Sequence, residues 1–337
     1  MRTPSRAVGI VAAVVTVALW TGFIVIGRAS AAHTLLPYDL ALVRIGGAGL
    51  VLLPWSLWLT RPGRPLRAQA SLGGLSPVPL RQTVATGLFG GLLYAVLCYA
   101  GFFFAPAAHA SVLMPGSLPL WSALLALPLL GERLTPARVL GLACIAGGDL
   151  LVGGASLLAA LDGGEVWKGD LIFVLAGFCW AMYGVLARRF RLDPVHSTMA
   201  ITALACVAYL PLYALLSSQG LIPTRLAQAP LAEILLQALF QGVGVVVIAG
   251  ITFVIMVQVF GPVRSMMLTA LVPGLSALGA VALLGEPLGW NLAAGLALVT
   301  LGILFGVRTG SPRAGAAAVP SGAAEQALPG AVRRRPS

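Results

Sequence analysis

Three sets of residues in this chain of 337 could do chemistry. The first is ionisable. Arg44, His109 and Asp149 stand inside or beside long apolar runs, where charge is costly and is kept for gating, ion coupling or substrate pairing. The second is aromatic and amide: Trp20, Tyr94, Trp180, Tyr183 and Gln241. An aromatic box with a few hydrogen-bonding groups suits an amphipathic organic solute. The third is a pair of glutamates, Glu132 and Glu286, each following an identical Leu-Leu-Gly.

Other chemistries lack their residues. The sole lysine, Lys168, is followed by Gly-Asp, so there is no GxxxxGK[ST] phosphate loop and no expectation of ATP hydrolysis. No HExxH zinc site occurs. Ser276 lies in "GLSA", but no motif links it to His109 or His196, which disfavours an intramembrane serine enzyme. No loop carries the carbonyl or acidic ring of a channel filter. Cys98, Cys144, Cys179 and Cys206 show no paired spacing and read as free thiols in apolar surroundings. The inventory points to a carrier rather than an enzyme, with no cofactor and no metal.

Composition says what must position these residues. The chain is 59% apolar and 9% charged, with a mean hydropathy of +0.97. A soluble domain carries about 25% charged residues, so this is an integral membrane protein. A helix needs roughly 20 apolar residues to cross the bilayer core, and gaps between charges mark the spans. They fall at about 7–27, 38–60, two within the uncharged stretch 82–131, 137–153, 169–187, 194–216, 232–259, 262–284 and 288–307. The fold class is all-α integral membrane, with ten transmembrane helices as two five-helix repeats.

The repeat is registered at several points. Besides the two "LLGE" segments, Pro119 and Pro273, Gly141 and Gly295, and Gly148 and Gly302 correspond. Trp20 to Arg28 and Trp180 to Arg188 share one spacing. Five spans per unit is odd, so the two units must be inverted in the membrane, an arrangement typical of secondary transporters. One structural task explains a Gly-Glu on both faces better than one chemical task. Gly131 and Gly285 can take the left-handed conformation that ends a helix, and each carboxylate suits the N-terminus of the helix that follows. The paired glycines seven apart permit close helix packing.

Loop charge orients the chain. All basic residues except Arg28, Arg44, Lys168 and Arg225 fall on one side, which is therefore cytoplasmic and holds both termini. The segments are a cytoplasmic N-terminus (1–6), repeat 1 (7–153), an outer linker (154–168), repeat 2 (169–307) and a basic tail (308–337) expected to be disordered. The connector 61–81 is expected to be flexible. A signal peptide is disfavoured, because the first apolar run is longer than the usual h-region of about 7–15 residues. The net charge of +11 reads as topology and attraction to anionic lipid at the inner loops and tail, not nucleic-acid binding. A homodimer is compatible with the sequence.

"LPYDLALVR" (36–44), "FAPAAHASVL" (104–113), both "LLGE" segments with their glycines, and the Trp-to-Arg spacing together resemble the drug/metabolite transporter superfamily, EamA type. The second half departs from the first near "GPVRSMM" (261–267), where Arg264 replaces Ala110. The resemblance implies a metabolite, amino-acid or drug exporter of a bacterial cytoplasmic membrane. It also implies a central cavity lined by spans 1, 3, 4, 6, 8 and 9. An uptake permease is the alternative.

By position, Trp20, Tyr94, Trp180, Tyr183 and Gln241 are the candidates for the solute site. His109 reads as a helix-end hydrogen-bonding group. Arg44 is expected to snorkel or pair with Asp39 in preference to holding a substrate carboxylate. Asp149, four residues from the expected end of its span, is expected to contact the outer interface. With no ionisable group at mid-span, gradient-driven movement of a solute with little net charge follows. A membrane-impermeant thiol reagent applied to intact cells is expected to label a cysteine at position 163 and spare one at 73; labelling at 73 would reverse the orientation.

Overall fold

The computed structural model describes residues 5–131, 135–260, 265, 268–269 and 271–308. Glu132, Arg133, Arg264 and the tail from residue 309 lie outside the described residues. Eight helices are long and apolar enough to cross a membrane, and two shorter apolar helices, Leu271–Leu284 and Trp290–Phe305, accompany them. Helices suit this solvent because they satisfy their own backbone polar groups.

We number the main helices α1 (Arg6–Ala29), α2 (Pro37–Leu59), α3 (Leu80–Phe104), α4 (Ala107–Leu130), α5 (Pro136–Ala159), α6 (Val166–Arg189) and α7 (Pro194–Ser218). Next comes α8, which joins Leu231–Gln237, Ala238–Ile248 and Ala249–Phe260. The last two are α9 (Leu271–Leu284) and α10 (Trp290–Arg308). The starts are written in the sequence. Pro37 and Pro194 occupy first-turn positions whose N–H would be unpaired anyway. Asp39 accepts from the Leu36 N–H, and Asp193 from those of Val195 and His196. The outward faces carry exposed Val14, Leu50, Leu140, Leu171 and Leu278, as lipid contact requires.

Glycines set the helix contacts. A Cβ on Gly148 of α5 would lie 2.6 Å from the Gly295 carbonyl oxygen of α10, and one on Gly302 would lie 2.6 Å from that of Gly141. The seven-residue glycine pairs thus face one another. Gly131 and Gly285 both adopt the left-handed conformation, each at φ 67°. These are positions where a side chain would be strained.

Several expectations fail. Helix α5 runs to Ala159 rather than residue 153, so Asp149 lies ten residues from its end and well inside the helix. Helix α6 begins at Val166, so Asp170 is its fifth residue rather than the second of a span starting at 169. The connector 61–81 is structured: Pro65–Ala68 and Leu72–Gly74 form 3-10 turns. The Gly74 carbonyl accepts from Ser56 and Thr60, and Thr83 and Ser76 are hydrogen-bonded at 2.7 Å. Short polar side chains satisfy this backbone internally, which a composition rich in Pro, Gly and Ser does not reveal.

Both α3 and α8 widen into a π-helical segment, at Leu88–Leu93 and Ala238–Ile248. Sequence periodicity gave no warning of either. Gly148→Leu is expected to destabilise the fold by about 1–3 kcal/mol through overpacking of the α5–α10 contact. Thermal unfolding in detergent measures this, and an unchanged midpoint would show that the contact is slack.

Candidate functional site: a central cavity with an aromatic wall

A cavity of about 800 Å³ opens between the helices. Its lining extends from Arg138 and Arg188, near one end of the bundle, to Arg44 in α2. Arg44 is the eighth residue of α2, so it sits about 10 Å in from the opposite end at 1.5 Å per residue. We call these the Arg188 end and the Arg28 end.

Four of the five solute-site candidates line the cavity: Trp20, Tyr94, Trp180 and Tyr183. Tyr94 from α3 packs on Trp180 from α6 with ring centroids 4.6 Å apart, and Trp180 lies 5.1 Å from Tyr183. Trp20 from α1 packs instead on Phe253 from α8, at 5.2 Å. Each tryptophan of a first helix therefore meets an aromatic ring from the third helix of the other half. Phe253 and Phe23, both lining the cavity, escaped the sequence reading because phenylalanine in an apolar run carries no polar signal.

Gln241 does not join them. It is 1% exposed, absent from the cavity wall, and neither of its side-chain polar atoms has a partner on the protein. Depth along the span made it a candidate, but depth does not say which face it occupies, and it lies in a π-helical segment that departs from the α-helical repeat.

The two π segments carry one motif, Leu88-Phe89-Gly90-Gly91 and Leu239-Phe240-Gln241-Gly242. Gly91 packs against the Ile201 carbonyl of α7, and a Cβ on Gly242 would fall 2.9 Å from the Arg44 carbonyl oxygen of α2. Gly90 lies under the Tyr183 ring, where a Cβ would meet Cγ at 2.6 Å. The repeated Leu-Phe-x-Gly was the signal that could have located both crossings.

The other three candidates have different fates. His109 is not in the cavity wall. Its Nδ1 lies 2.9 Å from Asp170 Oδ1, and Ser156 donates to the other oxygen of the same carboxylate. The cluster ties α4, α5 and α6. The serine bonds to the aspartate and not to the imidazole, so a hydrolytic relay is not assembled.

Arg44 does not pair with Asp39. Both Asp39 oxygens are taken, by the Leu36 and Arg225 N–H groups and the Tyr213 and Thr224 hydroxyls. Arg44 lines the cavity with its Cζ 4.9 Å above the Phe23 ring. Asp149 faces α4 rather than an interface with water. Its Oδ1 abuts the notch at Gly116 and has no partner on the protein.

Beyond Arg44, the Arg28 end is fastened. Arg28 donates to the Phe102 carbonyl at 2.7 Å and reaches Glu286 at 3.4 Å. Glu286 in turn accepts from the Ala107 and Ala108 N–H groups at 3.0 and 2.9 Å. The second Gly-Glu corner thus caps α4, in the other half of the chain, and not the helix that follows it. Glu233 similarly accepts from the Leu35 N–H at 2.9 Å, and Gln237 donates to Ser30 at 2.7 Å.

A bundle of apolar helices around a solute-sized, aromatic-walled cavity is the build of a membrane transporter. Residues 7–154 and 167–308 match the EamA-like transporter family, so this chain belongs to that family, within the drug/metabolite transporter superfamily, and is a multi-pass membrane protein. It is 30% identical over 127 residues to the uncharacterized transporter YyaM of Bacillus subtilis (strain 168); the match spans 37% of this chain and 41% of that relative. A protein of known crystal structure, 25% identical, superposes on 90% of this chain and 98% of its own with a TM-score of 0.56.

Accessibility separates the wall from the packed interior. With the four native cysteines replaced, Ser122→Cys and Thr202→Cys are expected to react with a small hydrophilic maleimide, while Gln241→Cys stays unreactive. Rapid labelling at 241 would return that residue to the cavity.

Proposed function

We propose that this protein is a secondary transporter that exports small organic metabolites across a bacterial cytoplasmic membrane by alternating access. The observation that carries the reading is the asymmetry of the cavity, whose lining continues to Arg138 and Arg188 at one end. At the other, Arg28, Glu286 and the first N–H groups of α4 are bonded together. With the basic residues assigned to the cytoplasm, this is an inward-facing state.

In this reading ten spans form two inverted halves, with both termini cytoplasmic. The reciprocal glycine contacts support a two-fold relation, since Gly148 on Gly295 and Gly302 on Gly141 exchange under the repeat. So does the exchange of aromatic partners between Trp20–Phe253 and Tyr94–Trp180. The cycle would release the Arg28 fastening while closing the Arg188 end around solute. Basic inner loops would contact anionic lipid.

A proton-linked version of the cycle is a second reading, favoured by Asp149. An unpartnered carboxylate oxygen deep in a helix is what a proton-coupled carrier uses. Under it, Asp149→Asn abolishes accumulation driven by a pH gradient while leaving exchange intact.

The test is counterflow in proteoliposomes, using a radiolabelled solute chosen by growth rescue in cells with and without the protein. Saturable counterflow is expected, with the solute recovered chemically unchanged and cells holding less of it. Greater cellular accumulation would favour uptake, and a chemically altered solute would favour an enzyme.

A further inference from the structure

Arginines enter the wall of the central cavity. Among the described residues its wall contains Arg44, Arg138 and Arg188 and no aspartate or glutamate. Arg44 is the deepest of the three and is 8% exposed. Its Nη1 is buried with no partner on the protein, and it forms no ion pair among the described residues. The groups facing it are the neutral side chains of Tyr94, Cys98 and Tyr99; the Tyr99 hydroxyl approaches the guanidinium, while Nη1 is left without a hydrogen bond. Asp39, the acid nearest in sequence, is saturated by four donors.

An arginine does not shed its proton in a protein. A buried, uncompensated charge is costly and within a membrane marks a substrate or ion path. The guanidinium is also held in place before any ligand arrives. It stacks on Phe23, which is itself packed edge-on against Tyr99 and Phe102. The Arg44 backbone is clamped by Gly242. A stacked guanidinium still presents N–H groups along its edge, in the fork that matches a carboxylate.

We propose that Arg44 is the counter-ion for the carboxylate of an apolar or aromatic organic acid bound in the central cavity. The proposal deepens the transporter reading and rests on it. The anionic group meets Arg44, and the body of the acid lies against Trp20, Tyr94 and Trp180. Organic cations find no acidic partner among the described residues of this wall. The expectation of a solute with little net charge is thereby replaced by one of a net anion.

Binding and transport test this separately. For the purified full-length protein, benzoate, phenylacetate and indole-3-acetate are compared with benzamide and benzylamine by thermal shift. The acids are expected to raise the melting temperature in a saturable manner, and the amide and amine are not. Arg44→Gln is expected to weaken the acid response at least tenfold, and Arg44→Lys to retain part of it. A preference for the amine or amide, no response to any acid, or acid binding unchanged in Arg44→Gln would overturn the assignment. The wild-type acid–amide comparison stands even where the variants fold poorly. Counterflow by a wild type indifferent to acids would leave the transporter reading intact while ending this one. Acid binding without counterflow would do the reverse.

Discussion

The bond between Glu286 and the start of α4 is the contact on which the closed end of this molecule depends. The first N–H groups of a helix have no partner within it, and at the edge of a membrane water cannot be relied upon to supply one. Glu286 satisfies those of Ala107 and Ala108 and is neutralised by Arg28, which also holds the Phe102 carbonyl. The turn after α9 thus supplies one carboxylate on which α1 and α4 meet, and Arg28 carries the contact on to α3. An amide in its place could accept fewer bonds and would leave Arg28 uncompensated.

What that closure holds apart at the other end is governed by glycine. The π-helical segments of α3 and α8 bring Gly91 against α7 and Gly242 against α2, so the third helix of each half crosses the second helix of the other at backbone distance. Small residues at such crossings let the backbones approach closely. The crossing at Gly242 also fixes the backbone of Arg44. The same contact that joins the halves therefore sets the depth of the most buried charge in the cavity.

Much of this was legible in the sequence, and the failures share a cause. Charge gaps located the eight helices long and apolar enough to cross a membrane, and Trp20, Tyr94, Trp180 and Tyr183 were recoverable as cavity-lining residues because an aromatic with a polar atom is unusual at mid-helix. Gly131 and Gly285 were legible because a left-handed helix end needs glycine. Depth along the span points to Gln241, but depth does not fix which face it occupies, and the π-helical segment there is marked only by the repeated Leu-Phe-x-Gly. Asp149 is peripheral only if its span ends at residue 153, whereas α5 continues to Ala159. The Arg44–Asp39 pairing was a sensible guess from spacing. It fails because Tyr213, Thr224 and Arg225, distant in sequence, reach the aspartate first.

The distribution of acids explains the character of the cavity. With only ten acidic residues in the chain, several are spent on fastening the Arg28 end. Asp39, Glu233 and Glu286 accept backbone N–H groups there, and Asp170 is held by His109 and Ser156. A carboxylate committed to backbone N–H groups has little capacity left for a distant guanidinium. Among the described residues Arg44 is thus left without an acidic partner by the same economy that fastens the Arg28 end. In an apolar wall, one unmatched positive charge dominates the local potential, since attraction strengthens as the dielectric falls. Among the described residues the cavity wall holds no acid to offset it, and this is the basis on which an anionic solute is proposed.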